Sequence, residues 1–133
     1  MKTLRILPLV CLALSLGGCN LSPLPGCWFR PALTLGPDEL PVAESGTPYR
    51  AEIRVIRSYT PVFRIEVDPA TPLPAGLQLA FNRGDSSAIL SGTAVEPGVY
   101  DLTLTASNYG TQCVGQNGSV RYRLEVLPAP ATP

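Results

Sequence analysis

The chain has 133 residues, with ten Lys or Arg, ten Asp or Glu and no histidine. A chain of this length supports one domain of ordinary size. The balanced charge argues against a nucleic-acid-binding protein, because such proteins carry a basic excess. The lack of histidine excludes Ser-His-Asp and Cys-His catalysis and leaves few ligands for a metal ion. We therefore expect no cofactor.

The N-terminal segment has three physically different parts. Two positive charges open it, residues 6–16 form an uncharged apolar run, and two glycines precede Cys19. This order is typical of a secretory signal peptide. The apolar run has 11 residues, fewer than the roughly 20 that a helix needs to cross a bilayer. We expect residues 1–18 to be a signal peptide.

The sequence Leu-Gly-Gly-Cys at residues 16–19 resembles the bacterial lipobox. The resemblance implies that the Cys19 thiol receives a diacylglycerol, that cleavage precedes this residue, and that the new amine is acylated with a fatty acid such as palmitate. Three acyl chains anchor stably, whereas one chain binds only marginally. Asn20 stands where an Asp would resemble an inner-membrane retention signal, so we expect an outer-membrane lipoprotein of the bacterial cell envelope. An ordinary secretory signal that contains a cysteine is the alternative.

The predicted organisation has four segments. Residues 1–18 are the signal peptide, residues 19–26 the lipid anchor and tether, residues 27–128 the folded domain, and residues 129–133 a disordered tail. The tether contains two prolines and no alternating pattern. At roughly 3 Å per extended residue it reaches about 20 Å, which would hold the domain close to the bilayer.

The four cysteines divide among these segments. Cys11 leaves with the signal peptide, and Cys19 carries the lipid. Cys27 and Cys113 then remain in an oxidising compartment, where a disulfide is the default state. We predict this bond, which joins positions 86 residues apart.

The remainder of the chain alternates apolar and polar residues in short runs. The five clearest runs are residues 49–55, 63–67, 77–81, 100–107 and 120–126. A weaker strand is expected over Ala88 to Ser91, and an edge strand around Ala32 to Val42. Alternation with a period of two indicates one buried and one wet face, as in antiparallel sheets. The predicted fold class is all-β, an Ig-like antiparallel β-sandwich of about seven strands.

The segment Glu96-x-Gly98-x-Tyr100 resembles the tyrosine corner of Ig-like sandwiches, in which the tyrosine hydroxyl bonds to the backbone upstream. A tyrosine that is simply buried is the alternative. Leu102 stands two residues later, so the usual inter-sheet disulfide is absent. The Cys27–Cys113 bond would instead join the N-terminal part of the domain to the loop before the last strand.

Five short motifs occur in a fixed order along the chain. They are Gly46-Thr47-Pro48-Tyr49, Leu73-Pro74-Ala75-Gly76-Leu77, Leu90-Ser91-Gly92-Thr93, Gly98-Val99-Tyr100 and Ala106-Ser107-Asn108. Together they make residues 40–127 similar to the putative-Ig family of bacterial surface repeats, related to the cadherin-like dystroglycan modules. The resemblance implies an Ig-like fold and a role in adhesion or surface architecture, with no catalysis.

No catalytic residues are predicted. Ser91 lacks the Gly-x-Ser-x-Gly elbow of a nucleophilic serine and has no partner base. Glu66 and Asp68 fall on one side of a strand, but Arg64 lies beside them and favours a solvated charged face. No metal site is predicted either, because the carboxylates of the domain are scattered and no Asp-rich calcium loop occurs. A small carboxylate-dependent enzyme is the weakest of the hypotheses.

The best candidate for a partner-binding site is the polar loop over residues 108–119, since tethered surface loops often carry recognition. Its candidate contact residues are Tyr109, Thr111, Gln112, Gln116 and Asn117.

Two further groups of residues each have two interpretations. Arg64, Arg121 and Arg123 would form cross-strand salt-bridge ladders with carboxylates on the same sheet, or else a ligand-binding face. Trp28 and Phe29 would pack against the disulfide, or else contact membrane headgroups.

Taken together, the sequence predicts a lipid-anchored Ig-like module of the cell envelope with a non-catalytic binding, adhesion or structural role. Its partners would be the membrane, through the N-terminal lipid, and a protein or glycan. The alternative is an accessory or inhibitory subunit that docks to a dedicated envelope protein complex.

Overall fold

A computed structural model describes residues 25–131 of the chain. The predicted signal peptide, the lipidation at Cys19 and most of the tether lie outside the described residues. Within the described part, no helix is long and apolar enough to cross a bilayer.

Eight strands and one short 3₁₀ turn make up the described chain. In chain order they are the turn Pro25–Cys27, β1 (Thr34–Gly36), β2 (Ala43–Glu44), β3 (Pro48–Arg57), β4 (Val62–Val67), β5 (Leu77–Ala80), β6 (Ser87–Thr93), β7 (Gly98–Asn108) and β8 (Asn117–Leu127). They form two four-stranded sheets, with the orders β1-β3-β6-β5 and β2-β8-β7-β4. All pairs are antiparallel except β2 with β8. The predicted all-β, Ig-like sandwich is confirmed.

The predicted edge strand around residues 32–42 takes a different form. It is divided into β1 and β2, which belong to different sheets. Pro37 and Pro41 lie between them, and a proline cannot donate the backbone hydrogen bond that a continuous strand needs. The chain crosses from one sheet to the other at this point, which raises the strand count from about seven to eight.

The core lies between the two sheets and follows the alternation of the sequence. Ile53, Leu90, Leu102, Leu104 and Leu124 have no exposed surface. Residues between them on the same strands, such as those on β8, face water. The period of two therefore separates a filled apolar interior from two polar outer faces.

The tyrosine corner is confirmed. The Tyr100 hydroxyl donates a hydrogen bond to the Glu96 carbonyl oxygen at 3.1 Å, four residues upstream. A second tyrosine does the same elsewhere: the Tyr49 hydroxyl donates to the Pro41 carbonyl oxygen at 2.9 Å and so fixes the crossing between β1 and β2.

A third tyrosine is buried without such a bond. Tyr122 is 1% exposed, and its hydroxyl has no hydrogen-bond partner among residues 25–131. Burial, with a smaller contribution from the charge of Asp38, raises the pKa of Tyr122 to about 12. Desolvation disfavours the phenolate in the core, which is why the shift is upward.

Stability at high pH should therefore depend on Tyr122. The unfolded chain loses the phenolic proton near pH 10 and the folded chain near pH 12, so the contribution is complete below about pH 10 and is lost as the pH rises to about 12. The free energy of unfolding should fall by on the order of 2 kcal/mol over this pH range. Tyr122→Phe removes the titrating group, and the variant should lose less stability than the wild type between these pH values. Urea unfolding across this range measures the difference.

The exposed Tyr59→Phe variant is the matched control, because its side chain is 59% exposed. It should follow the wild type throughout. Equal alkaline losses in Tyr122→Phe and the wild type would contradict the prediction.

The strand directions define two ends of the sandwich. The tether end consists of residues 25–33 and the loops 58–61, 81–86 and 109–116, and the chain enters the domain there. The far end consists of the segments 44–47, 68–76 and 94–97, together with residues 128–131.

Candidate functional site

A disulfide organises the tether end. Cys27 and Cys113 are bonded, with 5.6 Å between their Cα atoms, as the cysteine count predicted. The bond joins the turn at the start of the domain to the loop 109–116, between β7 and β8. These two segments are therefore held next to each other at one end of the sandwich.

A buried asparagine connects the loops of this end. Asn108 is 2% exposed and ends β7. Its amide nitrogen donates to the Ser58 hydroxyl at 2.9 Å, and its side-chain oxygen accepts from the Gln116 backbone N–H at 2.6 Å. Thr60 adds a bond from its hydroxyl to the Tyr109 carbonyl oxygen at 2.6 Å. Sequence reasoning placed Asn108 in a family motif but did not identify this role.

Three of the five predicted residues lie on the surface of the loop 109–116. Tyr109 is 44% exposed, and its ring packs on Phe63 with 5.0 Å between the ring centres. Thr111 and Gln112 are exposed, and the Thr111 backbone N–H donates to the Cys113 carbonyl oxygen within the loop. These three residues are available to a partner.

Of the other two predicted residues, Gln116 has a structural contact, whereas Asn117 lies in a strand and is exposed. Gln116 is half-buried, and its side-chain nitrogen donates to the Pro31 carbonyl oxygen at 3.2 Å. Asn117 is the first residue of β8, opposite Ser107 of β7. Gln116 therefore stabilises the tether end from within, because its amide bonds the N-terminal segment to the loop.

Three apolar side chains at the tether end are exposed. Trp28 is 74% exposed, Phe29 85% and Val114 89%. The expectation that Trp28 and Phe29 pack against the disulfide is wrong.

The backbone on both sides of the aromatic pair explains the difference. Cys27 is held by the disulfide, and the Arg30 guanidinium lies over the Tyr59 ring at 5.5 Å. Pro31 accepts the bond from Gln116. These contacts fix the segment on the domain surface, with the two aromatic side chains directed into solvent.

The two ends of the sandwich carry opposite charge. The charged residues of the tether end, including the last residue of β3, are Arg30, Arg57, Arg83 and Asp85. Those of the far end are Glu44, Asp68 and Glu96. The tether end is therefore net positive and the far end net negative, although the whole chain is balanced.

The arginines of the β2-β8-β7-β4 sheet do not form the predicted cross-strand ladder. Arg123 lies opposite Asp101 in the strand register, but no ion pair within 4 Å joins them. Arg64 pairs instead with Glu66 of its own strand, at 3.4 Å. Both partners of that pair are half exposed, so its contribution to stability is small.

The other sheet carries one charged pair on its outer face. Arg54 donates to the Glu52 carboxylate at 2.7 Å, and this hydrogen bond lowers the pKa of Glu52. Both groups lie along one strand and face water, so the pair is a solvated surface feature.

The carboxylates and the serine considered for catalysis lie in ordinary positions. Asp68 accepts a hydrogen bond from the Ala70 backbone N–H and stabilises a turn. Ser91 is a residue of β6 that lies between Arg50 of β3 and Gln78 of β5. In the part of the chain that the structure describes, no three acidic or cysteine side chains come together as metal ligands.

Two sheets packed face to face, with a tyrosine corner at the start of β7, define the Ig-like class of domain. The profile of the family described as Putative Ig domain matches residues 31–127, and the chain belongs to that family. No curated protein sequence matches the chain.

Two adhesin structures from Streptococcus sanguinis share the fold. One is the sialic acid binding region of the SK1 adhesin bound to 3'sLn, with a TM-score of 0.60 and 13% identity. The other is a point mutant of the SrpA adhesin, with a TM-score of 0.54 and 12% identity. The matches cover 75% and 74% of this chain but only 31% and 57% of the adhesin chains. At 12 to 13% identity, the similarity shows a shared fold and nothing more.

Proposed function

We propose that this chain is a lipid-anchored Ig-like module of the bacterial cell envelope that works by binding, without catalysis. The observation that carries the proposal is the position of the disulfide-linked turn at Cys27, eight residues after the lipobox cysteine Cys19. The folded domain thus begins almost directly after the predicted anchor.

The interior of the domain favours a binding role over an enzymatic one. The core between the sheets is filled by aliphatic and tyrosine side chains, and the described carboxylates are exposed or used in turns. Catalytic sites usually occupy a concave pocket with convergent polar groups. Ig-like sandwiches, by contrast, present loops and sheet faces from a rigid scaffold.

The ligand class is proposed from the structural neighbours. One neighbour is described as a sialic acid binding region, and both are adhesins. We infer an adhesive role in which this domain contacts a glycan or a protein outside the membrane that holds it. Docking to one dedicated envelope protein is the alternative.

The anchor is tested at the lipobox cysteine. Cys19→Ala removes the thiol that would carry the diacylglycerol, and the protein should move from the membrane fraction to the soluble fraction. Three acyl chains hold a protein stably, so we expect nearly all of the wild type to remain with membranes after a salt wash. Fractionation with an antibody to the domain measures this.

Cys11→Ala is the matched control, because that cysteine also lies in the predicted signal peptide but not in the lipobox. It should leave membrane attachment unchanged. Retention of Cys19→Ala in the membrane fraction would refute the lipid anchor.

The binding role is tested by crosslinking in intact envelopes that carry the wild-type protein. Binding of the purified protein to sialylated glycans or to cell surfaces supports adhesion. One protein crosslinked in a one-to-one ratio, without glycan binding, supports the accessory subunit instead.

A further inference from the structure

We propose that the tether end is a membrane-contacting surface, on which Trp28, Phe29 and Val114 enter the headgroup region of the bilayer that holds the chain. This proposal rests on the lipid anchor proposed above. It goes further by assigning an occupant to an exposed patch and an orientation to the domain.

The disulfide holds the two segments that carry these three side chains next to each other. Trp28 and Phe29 directly follow Cys27, and Val114 directly follows Cys113, whose Cα atom is 5.6 Å from that of Cys27. Each of the three is at least 74% exposed. Single exposed apolar residues are common. Two aromatic residues and a valine exposed on adjacent segments that a disulfide joins form an apolar patch, and removing that patch from water is favourable in free energy.

The patch cannot be covered by the domain itself without breaking contacts. The disulfide holds Cys27, the Gln116 bond holds Pro31, and Arg30 lies over Tyr59. These contacts anchor the backbone immediately before and after the aromatic pair. The exposed side chains are therefore presented to a surface outside the domain.

The length of the chain before the patch identifies that surface. Cys19 and Cys27 are eight positions apart, so the intervening chain spans at most about 29 Å when fully extended. The strands β7 and β8 each have 11 residues and are about 36 Å long. The tether is therefore too short for an orientation in which the far end faces the bilayer, because Cys27 would then lie a full strand length above it.

The chemistry of the tether end suits a lipid headgroup layer. Tryptophan is enriched at this depth, because its apolar ring leaves water while its indole N–H stays hydrated, and Phe29 and Val114 add apolar surface beside it. The loop 109–116 carries no charge that would oppose approach. The three arginines of this end exceed its one acidic residue and would be attracted to anionic headgroups. The acidic far end would then point away from the membrane.

The chain contains a single tryptophan, and it is Trp28, so its fluorescence reports on the patch without a label. The experiment uses the lipidated full protein in vesicles of phosphatidylethanolamine and phosphatidylglycerol. Part of the phosphatidylethanolamine carries bromine on its upper acyl chains, which quenches tryptophan by contact. We expect a shift of the emission maximum to shorter wavelength and a loss of intensity relative to unbrominated vesicles, because the indole ring lies at the headgroup level.

The matched control moves the tryptophan to the other end. In Trp28→Phe combined with Val95→Trp, the probe occupies a 65% exposed position at the far end. Its emission should be the same in brominated and unbrominated vesicles.

The remaining outcomes separate this proposal from the one on which it rests. If the protein sediments with vesicles but bromine does not quench Trp28, the membrane-contacting surface is refuted and the anchor stands. If the protein does not sediment with vesicles, both proposals fail. If a soluble sialylated glycan shifts the emission of vesicle-bound protein while bromine has no effect, the patch is a glycan-binding site and the proposal is overturned.

Discussion

Removing the Cys27–Cys113 disulfide is expected to lower the free energy of unfolding by about 4 to 5 kcal/mol. The bond closes a loop of nearly the whole domain, since its cysteines are 86 positions apart, and the unfolded chain gains most entropy when such a long loop is opened. Domains of this size have total stabilities of only about 5 to 15 kcal/mol. The double variant Cys27→Ser, Cys113→Ser should therefore be close to unfolding, and urea unfolding measures the difference.

The control for this prediction is reduction of the wild-type protein, which opens the same loop without a substitution. Both should lose the same stability. Hydrogen exchange should also accelerate first in the loop 109–116 and in residues 27–33, because these segments are joined by the bond. A double variant as stable as the oxidised wild type would refute the assigned role of the bond.

The second large effect is expected for Gly92→Ala, with a loss of about 3 kcal/mol or more. Gly92 lies in β6 at a φ of 134°, which side chains rarely adopt. A Cβ atom there would meet the Gly76 carbonyl oxygen and the Leu77 Cα atom, at the start of the neighbouring strand β5. Those contacts are backbone and cannot move away, since Gly76 also accepts the hydrogen bond from the Thr93 N–H. Thermal or urea unfolding measures the loss.

Gly84→Ala separates backbone strain from steric contact. Gly84 also has a positive φ, 97°, but a Cβ atom there would meet nothing within 4 Å. The expected loss is about 1 to 2 kcal/mol, the cost of a side chain in the left-handed region alone. If both variants lose the same stability, the close contact between β5 and β6 is not what excludes a side chain at position 92.

These two glycines give a physical reason for the family motifs. Leu73-Pro74-Ala75-Gly76-Leu77 and Leu90-Ser91-Gly92-Thr93 stand far apart in the sequence but meet where β5 and β6 pair. Gly76 and Gly92 approach each other too closely for any side chain. Asn108 of the motif Ala106-Ser107-Asn108 likewise joins two loops of the tether end. These motifs therefore describe the packing of the sandwich.

If the tether end faces the bilayer, the surface available to an external partner changes. Tyr109, Thr111 and Gln112 would then be close to the headgroups, although they were the first candidates for recognition. The outer faces of the two sheets and the acidic far end would be the surfaces open to a glycan or protein. The vesicle experiment therefore also decides where a search for the partner site should begin.

The sequence by itself determined the local features of this protein. Alternation with a period of two located five strands (β3, β4, β5, β7 and β8), because each residue's side of a strand depends only on its neighbours along the chain. The count of cysteines identified the disulfide, and the spacing of Glu96 and Tyr100 identified the tyrosine corner. The lipobox at Cys19 remains a prediction from sequence.

Only the tertiary structure decided the features that depend on distant segments meeting. Trp28 and Phe29 are exposed because Gln116 and Tyr59, from two other loops, hold the segment beside them. The Gln116 side chain bonds the Pro31 carbonyl oxygen because the fold brings these two distant segments together. The predicted cross-strand ion pairs of the arginines do not form, because opposite positions in a strand register do not fix the direction of long, flexible side chains. Side-chain exposure at loops depends on which segments the fold brings together, and a local pattern holds no information about that.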